Sequence, residues 1–132
     1  MTAEPADRLP RVAILADDLI WATRLADAVR RAGGEALPVR NLAGLAGALI
    51  AADGCLVDLT ARAYDGLAAL GEAAACGVPA VAVGQHDDAG ARRAAKAAGA
   101  TRVYAYRSLF EHGDRELGAW IAGLAAGREE DR

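Results

Sequence analysis

The stretch CLVDLTARAYDG (residues 55–66) begins as an apolar strand, and its apolar run stops on a carboxylate. Leu56 and Val57 precede Asp58, and a polar, irregular segment follows at once. An acid at the end of a run that is built for burial either caps the next element or works in a cleft that opens there. The choice depends on the architecture that the rest of the chain predicts.

Short apolar runs alternate along the chain with longer, alanine-rich segments of helical spacing. The central runs show no polar alternation, which is typical of strands buried on both faces. Pro38 in a weaker run fits only an edge strand, and Asn41 is an expected helix N-cap. Five strand–helix units in strict order predict an α/β fold with a parallel sheet and helices on both faces. The predicted strands are RVAILA (11–16), EALPV (35–39), GCLVDL (54–59), PAVAVG (79–84) and RVYAY (102–106).

Length and charge restrict the class of protein. The chain has 132 residues, 54% of them hydrophobic, which suits one domain over residues 11–126 between a disordered lead (1–10) and a charged tail (127–132). The net charge of −3 argues against a nucleic-acid or membrane-surface binder, because no basic excess is available to neutralise phosphates. The polar lead is not a signal peptide, so we expect a cytoplasmic protein. Cys55 and Cys76 lie in apolar contexts and are expected to be buried, reduced thiols.

Three carboxylates fall at the carboxyl ends of predicted strands, where the working cleft of such sheets lies. Asp17 and Asp18 follow the first strand and Asp58 ends the third, and these strands are neighbours if the order is 2-1-3-4-5. Converging carboxylates repel one another unless a cation lies among them, so we expect weak Mg²⁺ binding at these three residues. The alternative is that Asp17 or Asp18 merely caps the first helix.

From residue 11 to about residue 123 the chain resembles the receiver domains of two-component response regulators. The segment ILADD resembles the first strand of that family with its acid pair, and CLVDLTARAYDG resembles LLDLxMPGxDG. The segments GVPAVAVGQHDD and AAKAAGATRVYAY resemble xxPVIxLTAHDD and ALEAGADDYLxK. The resemblance implies a flavodoxin-like (CheY-like) three-layer sandwich with strand order 2-1-3-4-5, a role in phosphorelay signalling, and Asp58 at the phosphoacceptor position.

The chain departs from the family where the phosphoryl group would be recognised. The hydroxyl residue that ends the fourth strand in the family is replaced by Gly84. The lysine and proline that follow the fifth strand are replaced by Tyr106 and Arg107, and Val103 stands at the aromatic switch position. Lys96, the only lysine, lies in the fourth helical segment and is expected at the surface.

This loss has a chemical consequence, because an acyl phosphate without the lysine lacks a charge-assisted hydrogen bond of about 1.5–3 kcal/mol. Arg107 could reach in only if its side chain faces the site. Thr60 borders the site in the family, although a loop hydroxyl that bonds local backbone is the simpler interpretation. Gln85 and His86 are further candidates for the rim of the site.

The first functional hypothesis is an atypical receiver, with weak or no phosphorylation, that acts through contacts with a histidine kinase, a downstream signalling protein or a second copy as a homodimer. Tyr104 and Trp120 are the candidate contacts, since aromatic residues are enriched in interfaces. The alternatives are a phosphorylation-competent single-domain receiver and a small-molecule or nucleotide binder on the same fold, although no glycine-rich phosphate loop is present. We expect no enzyme, because no nucleophile–base pair accompanies the acids.

Overall fold

The computed structural model describes residues 8–85 and 88–130, without the side chains of residues 112–114 and 128–130. Strands and helices alternate throughout these residues. Their bounds are β1 (Arg11–Leu15), α1 (Leu19–Arg31), β2 (Glu35–Val39), α2 (Leu42–Leu49), β3 (Gly54–Asp58), α3 (Gly66–Ala75), β4 (Ala80–Gly84), α4 (Ala89–Ala97), β5 (Ala100–Ala105) and α5 (Tyr106–Glu130).

The strands form one parallel sheet in the order β2-β1-β3-β4-β5, which confirms the predicted fold. β3 and β4 lie in the middle and are buried along their whole length, as their continuous apolar runs predict. β2 is an edge strand, and its exposed Pro38 lies opposite Ile14 of β1. Because β1 and β3 are adjacent, Asp17 and Asp58 emerge at the same edge of the sheet.

Helices cover both faces of the sheet and enclose two cores. One core packs α1 and α5 against the sheet through Leu25, Val29, Leu117 and Ile121. The other packs α2, α3 and α4 against the opposite face, and it contains Leu45, Leu49, Leu70, Ala73 and Ala95. No described helix is both long enough and apolar enough to cross a membrane.

The starts of four helices are fixed by short polar side chains that accept hydrogen bonds from the first free backbone N–H groups. Asn41 caps α2, as predicted, and Asp65 caps α3. Asp18 caps α1 and Asp88 caps α4. Asp87, which precedes the cap of α4, lies outside the described residues.

The junction between β5 and α5 differs from the prediction. β5 begins at Ala100 and ends at Ala105, where Ala105 pairs with Gly84 of β4. α5 begins at Tyr106, so Tyr106 is a helix residue and not the end of the predicted strand (102–106). The helix also continues through Glu130, past the predicted start of the charged tail, while residues 131–132 lie outside the described range.

Two further expectations differ at the surface. Residues 8–10, part of the predicted lead, contact the domain: Arg8 forms an ion pair of 2.9 Å with Asp53, and the Pro10 carbonyl accepts a hydrogen bond from the Glu35 N–H. Residues 1–7 lie outside the described range. Cys55 is buried, which raises the pKa of its thiol to about 12, whereas Cys76 caps the end of α3 and is exposed.

Gly54 marks a close approach between β3 and α5 that can be tested. A Cβ atom at this position would lie 2.6 Å from Leu124 Cδ1 and 2.9 Å from Trp120 Cη2. We therefore expect Gly54→Ala to lower the free energy of unfolding by about 1–3 kcal/mol, as overpacking of a dense core does. Urea unfolding measures this change.

Gly71→Ala is the matched control. Gly71 is exposed on α3, and a Cβ there would meet nothing within 4 Å. Alanine should therefore stabilise the helix by about 0.5–1 kcal/mol. If both variants changed stability equally, the close packing of α5 on Gly54 would be contradicted.

Candidate functional site

Asp58 is the centre of the candidate site. It ends β3 and is 1% exposed, and among the described residues it is the only charged residue in the buried core. Its Oδ1 atom accepts two hydrogen bonds from Thr60, one from the backbone N–H at 2.9 Å and one from the hydroxyl at 2.8 Å. The Thr60 hydroxyl therefore bonds the carboxylate itself. The simpler interpretation, in which this hydroxyl bonds local backbone, is wrong. Such bonds are required, because a buried carboxylate without partners is costly.

Tyr106 supplies the next group in this network. Its hydroxyl oxygen lies 3.1 Å from Thr60 Oγ1. Since the Thr60 hydroxyl donates its hydrogen to Asp58, the Tyr106 hydroxyl is the donor to Thr60. Burial and the nearby Asp58 carboxylate raise the pKa of Tyr106, so the hydroxyl keeps its proton. A neutral hydroxyl thus lies where the receiver pattern has a cationic lysine.

The ring of Tyr106 belongs to an aromatic cluster formed with Trp21 and Phe110. The Trp21 and Tyr106 ring centroids are 4.3 Å apart, and those of Trp21 and Phe110 are 5.6 Å apart. Arg24 lies over the Trp21 ring at 5.3 Å, a cation–π contact. The cluster joins the start of α5 to the start of α1, and through Tyr106 it is linked to Asp58.

Two residues hold the loop between β3 and α3 against the end of β1. Asp17 Oδ2 accepts hydrogen bonds of 3.1 Å from the N–H groups of Arg62 and Ala63. The Tyr64 hydroxyl contacts the carbonyl oxygens of Leu15 at 2.9 Å and Asp58 at 2.6 Å. The sequence pattern assigns Tyr64 no role. Its partners are backbone carbonyls, which leave no signature in the sequence.

The three carboxylates do not form the predicted cation site. Asp18 Oδ1 accepts hydrogen bonds from the Ile20 and Trp21 N–H groups, at 2.9 and 3.0 Å, so the capping alternative describes it. One oxygen of Asp17 is bonded by the loop backbone, and one oxygen of Asp58 by Thr60. Within residues 8–85 and 88–130, no group of three or more His, Cys, Asp or Glu side chains is placed to hold a metal ion. The residues present therefore do not fit a three-carboxylate Mg²⁺ site.

Gly84, Gln85 and Arg107 are the remaining candidates for the rim of the site that the structure describes. Gly84 is buried at the end of β4, and exposed Gln85 follows it. Arg107 turns away from the site, because it pairs with Glu111 at 3.1 Å and its side chain is 82% exposed. It therefore does not replace the missing lysine, and its assignment to the rim is wrong. His86 lies outside the described residues.

The two predicted contact residues differ in exposure. Tyr104 is 5% exposed and belongs to the core between the sheet and α5, so its side chain is not available as a surface contact. The alternation of β5 turns Tyr104 to one face and Val103 to the other, which explains the error. Trp120 is half-buried and lines a surface hollow of about 310 Å³ together with Arg102 and Arg115. It remains a candidate contact.

Comparison with solved structures agrees with this geometry. A response regulator receiver domain from Clostridium thermocellum is 15% identical with a TM-score of 0.75, and the match covers 94% of this chain and 100% of the other. A protein named as a response regulator from Chloroflexus aurantiacus J-10-fl is 21% identical with a TM-score of 0.75, over 90% and 99% of the two chains. A protein named as related to pilus assembly from Burkholderia pseudomallei K96243 is 21% identical with a TM-score of 0.71, over 89% and 90%.

These likenesses establish the fold. The chain is a five-stranded, doubly wound α/β domain with the fold of response regulator receiver domains. No family model matches the chain, and no curated protein matches it in sequence. Its function is therefore inferred from the site.

Two neighbouring tyrosines offer a test of the Asp58 network. Tyr106→Phe removes the hydroxyl that bonds Thr60, and we expect it to lower the free energy of unfolding by about 1–2 kcal/mol. Tyr104→Phe is the matched control, because no described residue makes a hydrogen bond of ordinary geometry to its buried hydroxyl. That change should be neutral or stabilising. Equal losses in urea unfolding would contradict the assignment of Tyr106 to the network.

The pH dependence of stability follows from the same burial. All three tyrosines, Tyr64, Tyr104 and Tyr106, have a pKa raised above the ordinary value of 10.0, chiefly by burial. The folded state keeps them protonated, whereas the unfolded chain ionises them near pH 10.0. Their contribution to stability is complete below that pH and is lost as the pH rises above it, by about 1.4 kcal/mol per pH unit for each tyrosine.

We therefore expect tyrosinate absorbance and the loss of circular dichroism to appear together above pH 10.0. Tyr106→Phe should make the alkaline fall in stability shallower by about 1.4 kcal/mol per pH unit. A tyrosine that ionises near pH 10.0 while the protein is still folded would contradict the burial of all three hydroxyls.

Proposed function

We propose that the chain is a receiver-like signalling module that acts by contact with another protein in a two-component or phosphorelay setting, with weak or no phosphorylation at Asp58. The observation that carries the proposal is the closed state of Asp58, which is 1% exposed and hydrogen-bonded to Thr60. The receiver fold supports the signalling context. The proposal includes no catalytic activity, and its context is the cytoplasm.

Phosphorylation of Asp58 would require its carboxylate to attack a phosphoryl group while nearby cations offset the charge. At the position of the family's lysine the described site offers no such cation, because Tyr106 is neutral and Arg107 points to solvent. Gly84 provides no hydroxyl for the phosphoryl oxygens. An acyl phosphate at this position would thus lack stabilising partners on the sides where a receiver recognises it.

Mg²⁺ has no fixed place in the proposed function. One oxygen of Asp18 is bonded by N–H groups at the start of α1, and one oxygen of Asp17 by the N–H groups of Arg62 and Ala63, so a cation would have to share each carboxylate with these donors. Weak Mg²⁺ binding at the three acids, which the sequence suggested, is therefore opposed by the local hydrogen bonds.

Transmission of a phosphorylation signal would also be weak. A ligand shifts a conformational equilibrium only through contacts that differ between the two states. Gly84 and Val103 lack the hydroxyl and the aromatic ring through which the receiver pattern makes those contacts. We infer that the output does not depend on Asp58 changing its charge.

The proposed contact surface lies at the start of α1, beside the aromatic cluster. Leu19 is 65% exposed and Ile20 is 67% exposed, and both are next to Trp21. Adjacent exposed apolar side chains mark a surface suited to a protein partner. The partner is a histidine kinase, a downstream signalling protein or a second copy of the chain. The likeness to a protein named for pilus assembly agrees with use of this fold outside proteins named as response regulators.

Intact-mass measurement tests the proposal. We expect no gain of a phosphoryl group when the protein is incubated with Mg²⁺ and acetyl phosphate. The double variant Gly84→Thr/Tyr106→Lys should gain one, because it restores the hydroxyl and the ammonium. A side chain fits at position 84, since a Cβ there would meet Leu59 only at 3.6 and 3.7 Å, an ordinary contact.

Asp58→Asn in the double variant is the control and should abolish the gain. If the unmodified protein gains one phosphoryl group and Asp58→Asn loses it, the chain is a phosphorylation-competent receiver and the proposal is wrong.

A further inference from the structure

A cavity of about 250 Å³ lies on the α4 side of the Asp58 network. Gly84 and Val103 lie in its wall, and the space is open because Gly84 has no side chain and that of Val103 is small. The cavity is lined by Leu59, Thr60, Gly84, Gln85, Asp88, Ala91, Arg92 and Val103.

The polar groups of the lining are not equally available. The Thr60 hydroxyl is bonded to Asp58, and Asp88 Oδ1 accepts the Ala91 N–H at 2.8 Å. Arg92, in contrast, is half-buried, and within residues 8–85 and 88–130 no ion pair or hydrogen bond is formed by its guanidinium. A guanidinium in a cavity wall that forms no ion pair with the described residues favours an anion beside it.

The other groups in the cavity wall indicate the size, polarity and charge of an anion that would fit. Leu59, Ala91 and Val103 present an apolar wall beside Arg92. The volume lies just below the range of about 300–1,000 Å³ that is usual for drug-sized ligands, and it suits a body of about ten non-hydrogen atoms. Asp88 and nearby Asp58 disfavour a second negative charge on the ligand.

We propose that this cavity binds a small organic monocarboxylate, with the carboxylate on Arg92 and an apolar body against Leu59 and Val103. Arginine suits this role because its planar guanidinium can bind both oxygens of a carboxylate. The site goes beyond the proposed function, which requires a protein partner but no small ligand.

A titration with 3-phenylpropanoate, followed by the backbone amide NMR spectrum, tests the proposal on the whole chain. We expect saturable shifts at Thr60, Gly84 and Val103 with a Kd on the order of 1 mM, which is typical of a ligand of this size. The neutral analogue 3-phenylpropanamide should bind at least about fivefold more weakly, because it lacks the charge that Arg92 recognises. Equal affinity for the two compounds, or no shift at any lining residue, would overturn the proposal.

Two arginines that are adjacent in the sequence provide the matched variants. Arg92→Gln should weaken 3-phenylpropanoate at least about fivefold and leave the amide unchanged, since only the charge is removed. Arg93→Gln is the control, because Arg93 is exposed and does not line the cavity. Val103→Phe should weaken both compounds by filling the space. If Arg92→Gln and Arg93→Gln reduce the affinity equally, the effect is one of net charge and the site is wrong. The dispersion of the amide spectrum shows that each variant is folded.

Discussion

A carboxylate that is buried at the carboxyl edge of the sheet must be hydrogen-bonded, and this constraint organises the site. Asp58 satisfies it through Thr60, and Thr60 in turn accepts from Tyr106. The ring of Tyr106 then packs on Trp21, so that one polar requirement on β3 fixes the starts of α1 and α5. The geometry of this edge is therefore a consequence of keeping one charge out of water.

The choice of donor separates two kinds of protein on the same fold. A lysine would bring a positive charge to the carboxylate and to any phosphoryl group placed there, whereas a tyrosine brings a neutral hydroxyl and a ring. The hydroxyl bonds Thr60, which in turn bonds Asp58 without a cation, and the ring adds buried apolar area against α1. Stability at this edge and recognition of a phosphoryl group thus compete for the same position, and Tyr106 favours stability.

Two of the departures from the receiver pattern leave space on the other side of Asp58. Gly84 and Val103 are smaller than the residues that the receiver pattern has at these positions, and the cavity beside Arg92 lies where those side chains would project. The exposed apolar side chains of Leu19 and Ile20 lie on the α1 side. The proposed partner surface and the proposed ligand cavity therefore flank one hydrogen-bonded centre.

The sequence alone determined the parallel sheet and its edge strand, because uninterrupted apolar runs, the proline at Pro38 and the cap at Asn41 are signals between residues close together in the chain. The strand order followed from the resemblance to receiver domains. The sequence also placed Asp58 at the edge and revealed the missing lysine and hydroxyl. Only the tertiary structure decided what the acids do, since the partners of Asp17 are backbone groups 45 and 46 residues away and those of Tyr64 include one 49 residues away. Arg107 points to solvent and Tyr104 is buried because of where α5 begins and how it packs. The position of α5 depends on its contacts with α1, which a local sequence pattern does not show.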